Sequence, residues 1–265
     1  MKNIIICILF TGVVTLAHSQ PLPDSIKAKY NTARTDEEKG PWLNTYLVRA
    51  STADSKATTH ALELLAWFKK QNDEVGADYA ELYFADVLNF KGDYSAGLNL
   101  ALPILSRFEK RKDHFGIMRA NNIIDNAFLM AKNYEQAVTY TKKAVPLAQT
   151  IDAKESLSRI YNHLGAAYAL ALMPDSALLY SQKAVNVAME MKDYEMLPIS
   201  LSSLAESYMA ANEYDIAIPF LRKSMSYYLT QKSNINNFGM AWVNNDFAQA
   251  FLALKQYDSA NYYAL

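Results

Sequence analysis

The stretch YNHLGAAYALALMPDSALLYSQKA, Tyr161–Ala184, decides the fold. Two apolar runs flank a proline, and one of the chain's four histidines and one of its eight glycines fall inside. Two readings compete. His163 beside a glycine turn could mark a site, or Gly165 could be a packing residue in a scaffold. The spacing favours the scaffold. Tyr161, Leu164 and Tyr168 recur three and four residues apart, the period of one helix face. Gly165 sits on that face, where the missing side chain lets a second helix approach. Pro174 suits the start of that second helix, because the first helical N–H has no intrahelical partner to lose. His163 falls beside the packing face and reads as a surface residue.

The pattern returns along the chain. GDYSAGL (92–98), KNYEQAV (132–138), LMPDSALLY (172–180), NEYDIAI (212–218) and KQYDSAN (255–261) align on Tyr94, Tyr134, Pro174, Tyr214 and Tyr257, spaced by 40, 40, 40 and 43 residues. Three residues on stand Gly97, Ala137, Ala177, Ala217 and Ala260, all small. Nine residues upstream of each register residue stand Ala85, Asp125, Gly165, Ala205 and Ala248, small in all but Asp125. Large residues bracket these: Phe84, Ile124, Leu164, Leu204 and Phe247 just before, and Leu88, Phe128, Tyr168, Tyr208 and Phe251 three after. A large-small-x-x-large run, a short turn and a second amphipathic run specify a helical hairpin, and its repetition specifies a solenoid.

These residues resemble the tetratricopeptide repeat (TPR) family. Tyr161, Leu164, Gly165 and Tyr168 match the family's first helix, and Ala177 and Ala184 match its second. Ser181 departs where the family carries an aromatic, Asp125 replaces a small residue, Ser224 replaces the last alanine, and the family's terminal proline is missing. The period resembles the family's long variant. A HEAT-type array has a similar period but leaves the Gly/Tyr/Ala positions unexplained. The resemblance implies an all-α fold, an α-solenoid of antiparallel helix pairs wound into a right-handed superhelix. The array is expected over 72–265, with repeats near 76–113, 114–152, 153–193, 194–236 and an incomplete 237–265. A divergent hairpin over 39–71 and a partly helical linker over 20–38 precede it. The last repeat stops about two turns into its second helix, so the sequence reads as the N-terminal piece of a longer product or as a shortened one.

Loop residues give further expectations. Val75-Gly76, Phe115-Gly116 and Phe238-Gly239 fall at one repeat position, read as a glycine turn with an apolar staple just before the first helix. Asp113, Asp152 and Asp193 suit turn or capping roles. Pro103, Pro146 and Pro219 lie inside or late in second helices and read as kinks or early helix ends.

Composition narrows the function classes. Of 265 residues, 51% are hydrophobic and 20% charged, enough apolar material for a sizeable core. Twenty-six basic residues face 27 acidic ones and no long basic run occurs, so neither nucleic acid nor an anionic membrane surface is expected as a partner. MKNIIICILFTGVVTLAHSQ, residues 1–20, has the layout of a secretory signal: Lys2, an apolar run from Ile4 to Leu16, then Ala17-His18-Ser19 before a cut at Gln20. A retained anchor is the rival, but the run is shorter than the ~20 residues a spanning helix needs. The expected location is therefore exported, periplasmic or in the cell envelope. Cys7 is the only cysteine, lies too early to carry a lipid, and would leave with the signal. Thiol chemistry and cysteine-bound metals are then excluded from the mature chain.

Catalytic signatures such as HExxH, GxSxG, GxxxxGK and GxGxxG are missing. No pair of histidines stands at metal-ligand spacing on one helix face. No catalytic residue, metal or cofactor is expected. The resemblance implies that first helices line a concave wall where a protein or peptide ligand binds. Three inward rows follow from the motif: Tyr79, Arg119, Arg159, Ile199 and Trp242; Leu82, Asn122, Asn162, Ser202 and Asn245; and Asp86, Asn126, Ala166, Glu206 and Gln249. The expected binding set is Arg119, Asn122, Asn126, Arg159, Asn162, Ser202, Glu206, Asn245 and Gln249. An asparagine ladder could hold an extended backbone through donors and acceptors together, and Arg119 and Arg159 could take a carboxylate. The leading expectation is a non-catalytic binding scaffold outside the cytoplasm. The alternative is the sensory ectodomain of a larger bacterial signalling protein, such as a sensor histidine kinase or membrane-anchored regulator, with a membrane helix and output domain downstream.

Overall fold

All five register residues turn out to open a helix. In a computed structural model, which describes residues 24–35, 38–43, 56–151, 153–230 and 236–264, the chain forms α1 (Asp24–Thr32), α2 (38–43), α3 (Ala57–Lys70), α4 (Glu74–Phe90), α5 (Tyr94–Arg111), α6 (His114–Met130), α7 (Tyr134–Thr150), α8 (Lys154–Leu170), α9 (Pro174–Met191), α10 (Met196–Ala210), α11 (Tyr214–Thr230), α12 (Asn236–Ala253) and α13 (Tyr257–Ala264). No strand occurs among the described residues. The expectations for residues 1–19, for 44–55 and for Asp152 lie outside them. Five A helices (α4, α6, α8, α10, α12) alternate with five B helices (α5, α7, α9, α11, α13). From α3 onward each helix packs on the next in the chain. Neighbouring A helices also touch one another, whereas successive B helices do not. The A helices therefore form the crowded inner wall of an α-solenoid and the B helices its splayed outer wall.

The hairpins close where small residues were expected. Ala137, Ala177 and Ala217 are buried, as are Ala85 and Ala205 on the A side. At Gly165 a Cβ would stand 2.1 Å from Ser181 Oγ and 3.2 Å from the Ser181 backbone nitrogen. α8 and α9 thus meet through a glycine and a serine, which explains why Ser181 replaces an aromatic. A ring stack closes each later hairpin: Phe128 with Tyr140, Tyr168 with Tyr180, Tyr208 with Phe220 and Phe251 with Tyr263, at 5.4–5.7 Å between centroids. Offset ring pairs add about 0.5–1.5 kcal/mol beyond their burial.

Two expectations about backbone punctuation are corrected. Gly76, Gly116 and Gly239 lie inside the first turns of α4, α6 and α12, and none has a positive φ. They make room for a ring. A Cβ would come within 2.1–2.5 Å of Phe68, Phe108 and Tyr228 on the preceding helix. The left-handed turns are made elsewhere, at Gly92, Lys132, Leu172, Asn212 and Lys255, one per hairpin. In each, the next N–H donates back to the carbonyl five residues earlier, as Met173 does to Tyr168 at 2.9 Å. This is the Schellman closure of a helix. Pro103, Pro146 and Pro219 neither end nor shorten α5, α7 and α11, which run on to Arg111, Thr150 and Thr230. All three prolines are exposed, so the carbonyl freed one turn earlier is on the solvent side. The aspartate expectation holds at Asp113 and Asp193, whose carboxylates accept from the N–H of Gly116 and Met196.

Candidate functional site

The inner wall divides the expected binding residues into two groups. Arg119, Asn126, Arg159 and Glu206 are partly exposed, and Asn245 and Gln249 are exposed. Asn122, Asn162 and Ser202 are only 5–7% exposed. They pack between neighbouring helices and do not line a wet groove. Asn162 Nδ2 donates to Ser200 Oγ on α10 at 2.9 Å, and Ser202 Oγ meets Ser224 Oγ at 2.9 Å. The side-chain carbonyls of Asn122 and Asn162 find no donor among the described residues. Asn162 is therefore a joint between α8 and α10, while Asn245 in the same row stays exposed. Tyr79 in the first row is also buried, and its hydroxyl donates to Asp113 Oδ2 at 2.9 Å. Burial and the Asp113 carboxylate push its pKa well above the usual phenol value.

Charge concentrates on α4, α6 and α8. Among the described residues neither Arg119 nor Arg159 has a hydrogen bond or ion pair. They stand one repeat apart near Asp86, whose carboxyl burial pushes upward while both guanidiniums pull it down. Burial lowers the Arg119 pKa, and Asp86 opposes that shift. Two arginines with donors free toward the wall make a carboxylate-accepting surface.

His163 overturns its surface reading. Its Nδ1 lies 2.7 Å from Asp125 Oδ1, and the Asp125 side chain is 1% exposed. Burial raises the Asp125 pKa and His163 opposes that rise. The departure from a small residue at Asp125 and the histidine on the next A helix are one feature, 38 residues apart in sequence. The signal was present as two irregularities at neighbouring repeat positions.

The row that sequence reasoning missed lies one residue beyond the asparagines: Tyr83, Ile123, His163, Ser203 and Asp246. Within it, His163 reaches Asp125 on the A helix before its own. At the far end, Asp246 is 3% exposed and its Oδ2 has no donor. Glu206 on α10 accepts from the Trp242 indole N–H at 2.7 Å, and Trp242 itself is 51% exposed. Burial and the neighbouring Glu206 push the Asp246 pKa up to about 8. Burial also raises that of Glu206, against the Trp242 hydrogen bond. Among the described residues no group of three or more His, Cys, Asp or Glu could hold a metal ion.

Comparison of the fold with solved structures fits this geometry. BtubC (BKLC) from P. vanneervenii superposes with a TM-score of 0.64 at 11% identity, over 78% of this chain and 87% of that one. The nearly identical TPR-like repeats of Podosopora anserina superpose at 0.57 with 17% identity, over 70% and 90%. The chain is a TPR-like α-solenoid. A Rap protein complexed with competence and sporulation factor also superposes, at 0.54 with 14% identity, over 86% of this chain and 78% of that one. No family model and no curated protein matches the sequence. Among the described residues no helix of this TPR-like solenoid is long and apolar enough to cross a membrane.

Proposed function

We infer that this solenoid is a non-catalytic scaffold that binds a protein or peptide segment along its A-helix wall, outside the cytoplasm. The observation that carries the reading is the pair Arg119 and Arg159. Two guanidiniums one repeat apart stand beside Asp86, and neither makes a hydrogen bond or ion pair among the described residues. A stacked wall holds such groups in fixed positions, so little ordering is lost when a ligand arrives. Asn126, Glu206, Asn245 and Gln249 extend the polar surface along the same face. Support for export comes from the signal-like layout of residues 1–19. The sensory-ectodomain reading shares this groove and differs in what the gene encodes beyond Leu265.

The test uses an array of immobilised twelve-residue peptides with graded acidic content. The purified chain should bind acidic peptides, and Arg119→Ala with Arg159→Ala should weaken that binding at least tenfold. Binding that ignores both arginines would remove them from the site. N-terminal sequencing of protein recovered from the cell envelope should begin at Gln20.

A further inference from the structure

At one repeat position the chain solves the same electrostatic problem in two different ways. On α8 that position is His163, which meets the buried Asp125 of the preceding A helix and sets a cation-capable ring against an acid. On α12 the equivalent position is Asp246, on the face of α12 whose Trp242 bonds Glu206 of the preceding A helix, and the two carboxylates lie near enough to repel. Here an acid faces an acid. Trp242 and Asp246 are four residues apart and so share one face of α12, and Trp242 already touches Glu206. Among the described residues neither carboxylate has an ion-pair partner. Asp246 keeps a buried Oδ2 without any donor. A buried acid in that condition is costly unless a cation or a proton neutralises it.

We propose that Glu206, Asp246 and the exposed Trp242 indole form a subsite for an organic cation, the ammonium or guanidinium of a lysine or arginine side chain on the bound segment. An ammonium carries three donors. Asp246 Oδ2 and the second Glu206 oxygen are the acceptors available to it. The indole face beside Glu206 adds a cation–π wall, an arrangement strongest for tryptophan. The empty site is held by a proton on Asp246, and the arriving cation displaces it. Among the described residues Glu206 is the charged group that bears on Asp246, and α11 and α13, also packed on α12, contribute none. The subsite rests on the groove reading and gives it direction. Carboxylates are taken at α6 and α8, and a cation is taken two A helices further on, roughly 20 Å away at ordinary helix spacing.

The probe is a soluble peptide carrying two lysines in a glycine-serine background, compared with its glutamine analogue by calorimetry. The purified chain should bind the lysine peptide and not the glutamine one. Binding should tighten from pH 6 to pH 8 and release a proton. Asp246→Asn and Glu206→Gln should each weaken it at least tenfold. Glu190→Gln, on the exposed part of α9, serves as the control and should leave it unchanged. Unchanged binding in Asp246→Asn would overturn the proposal. So would tight binding of Ca²⁺ or Zn²⁺ with no response to the lysine peptide, or no binding of the lysine peptide at either pH. The acidic-peptide array reads Arg119 and Arg159 separately, so a groove without this subsite and no groove at all give different results.

Discussion

Gly116 shows how much a single missing methyl can matter. A Cβ there would stand 2.5–2.7 Å from three ring atoms of Phe108, a fully buried side chain. Alanine would gain about 1 kcal/mol in helix propensity, but overpacking a rigid ring costs about 1–3 kcal/mol. Gly116→Ala is expected to cost about 0–2 kcal/mol net in urea unfolding, the clash less the propensity gain. In a Phe108→Ala background the same change should become stabilising, because the clash is gone and the propensity remains. A Gly116→Ala effect that Phe108→Ala leaves unchanged would refute the ring account. The chain itself supports it. Where helix B offers Ala148 and Ala188 at this joint, the A-helix partners by register are Ser156 and Met196. Sequence reasoning located these glycines but assigned them to a turn, because a glycine beside an apolar residue carries the same signature in both roles. The asparagines failed for a related reason. Periodicity placed Asn122 and Asn162 on the inner side of their helices, yet it cannot tell a wall surface from the seam between two neighbouring wall helices.

At the scale of the element, helix starts were readable and helix ends were not. Aspartate and asparagine caps announce α4, α5, α6 and α7, where Asp73, Asp93, Asp113 and Asn133 accept from the N–H three residues on. The ends use Lys132, Leu172 and Lys255 in left-handed geometry, residue types with no turn signature. They adopt it because the Schellman hydrogen bond and the packed hairpin offset a strain of about 1–2 kcal/mol. The ring partners Tyr140, Tyr180, Phe220 and Tyr263 were also legible in principle, six residues past each register residue. Asp113 joins two elements at once. Its Oδ1 caps α6 through Gly116 N–H at 2.8 Å, and its Oδ2 accepts from Tyr79 on α4 at 2.9 Å. A lost cap alone costs about 0.5–2 kcal/mol. An orphaned buried hydroxyl adds about 1–3 kcal/mol. Asp113→Ala should therefore cost about 1.5–5 kcal/mol, the sum of those two ranges. Tyr79→Phe, which removes the donor and leaves the cap, should cost less than half as much. The two variants compared by thermal unfolding check this, and equal losses would show that the cap does not depend on the aspartate.

The whole molecule carries an unusual acid balance for a chain with net charge −1. Four carboxyls on the A-helix wall, Asp86, Asp125, Glu206 and Asp246, are raised by burial. Each holds its proton more tightly in the fold than in the unfolded chain. The folded state therefore binds more protons over the interval between an ordinary carboxylate value, near ~4, and the raised value. Stability is fully supported below that interval and is lost as pH rises through it. For Asp246 the upper edge is about 8. The expected outcome is a melting temperature that falls between pH 5 and pH 8, opposite to the acid denaturation of proteins whose carboxylates are ion-paired. Asp246→Asn removes the Asp246 share of that slope, because an amide at the same position has no proton to lose. Circular dichroism melts at pH 5, 6, 7 and 8 on parent and variant measure it. A parent whose melting temperature climbs across this window would contradict the burial of these acids. A variant with the parent's slope would show that Asp246 titrates no differently in the fold, and would remove the electrostatic reason for a cation beside Glu206.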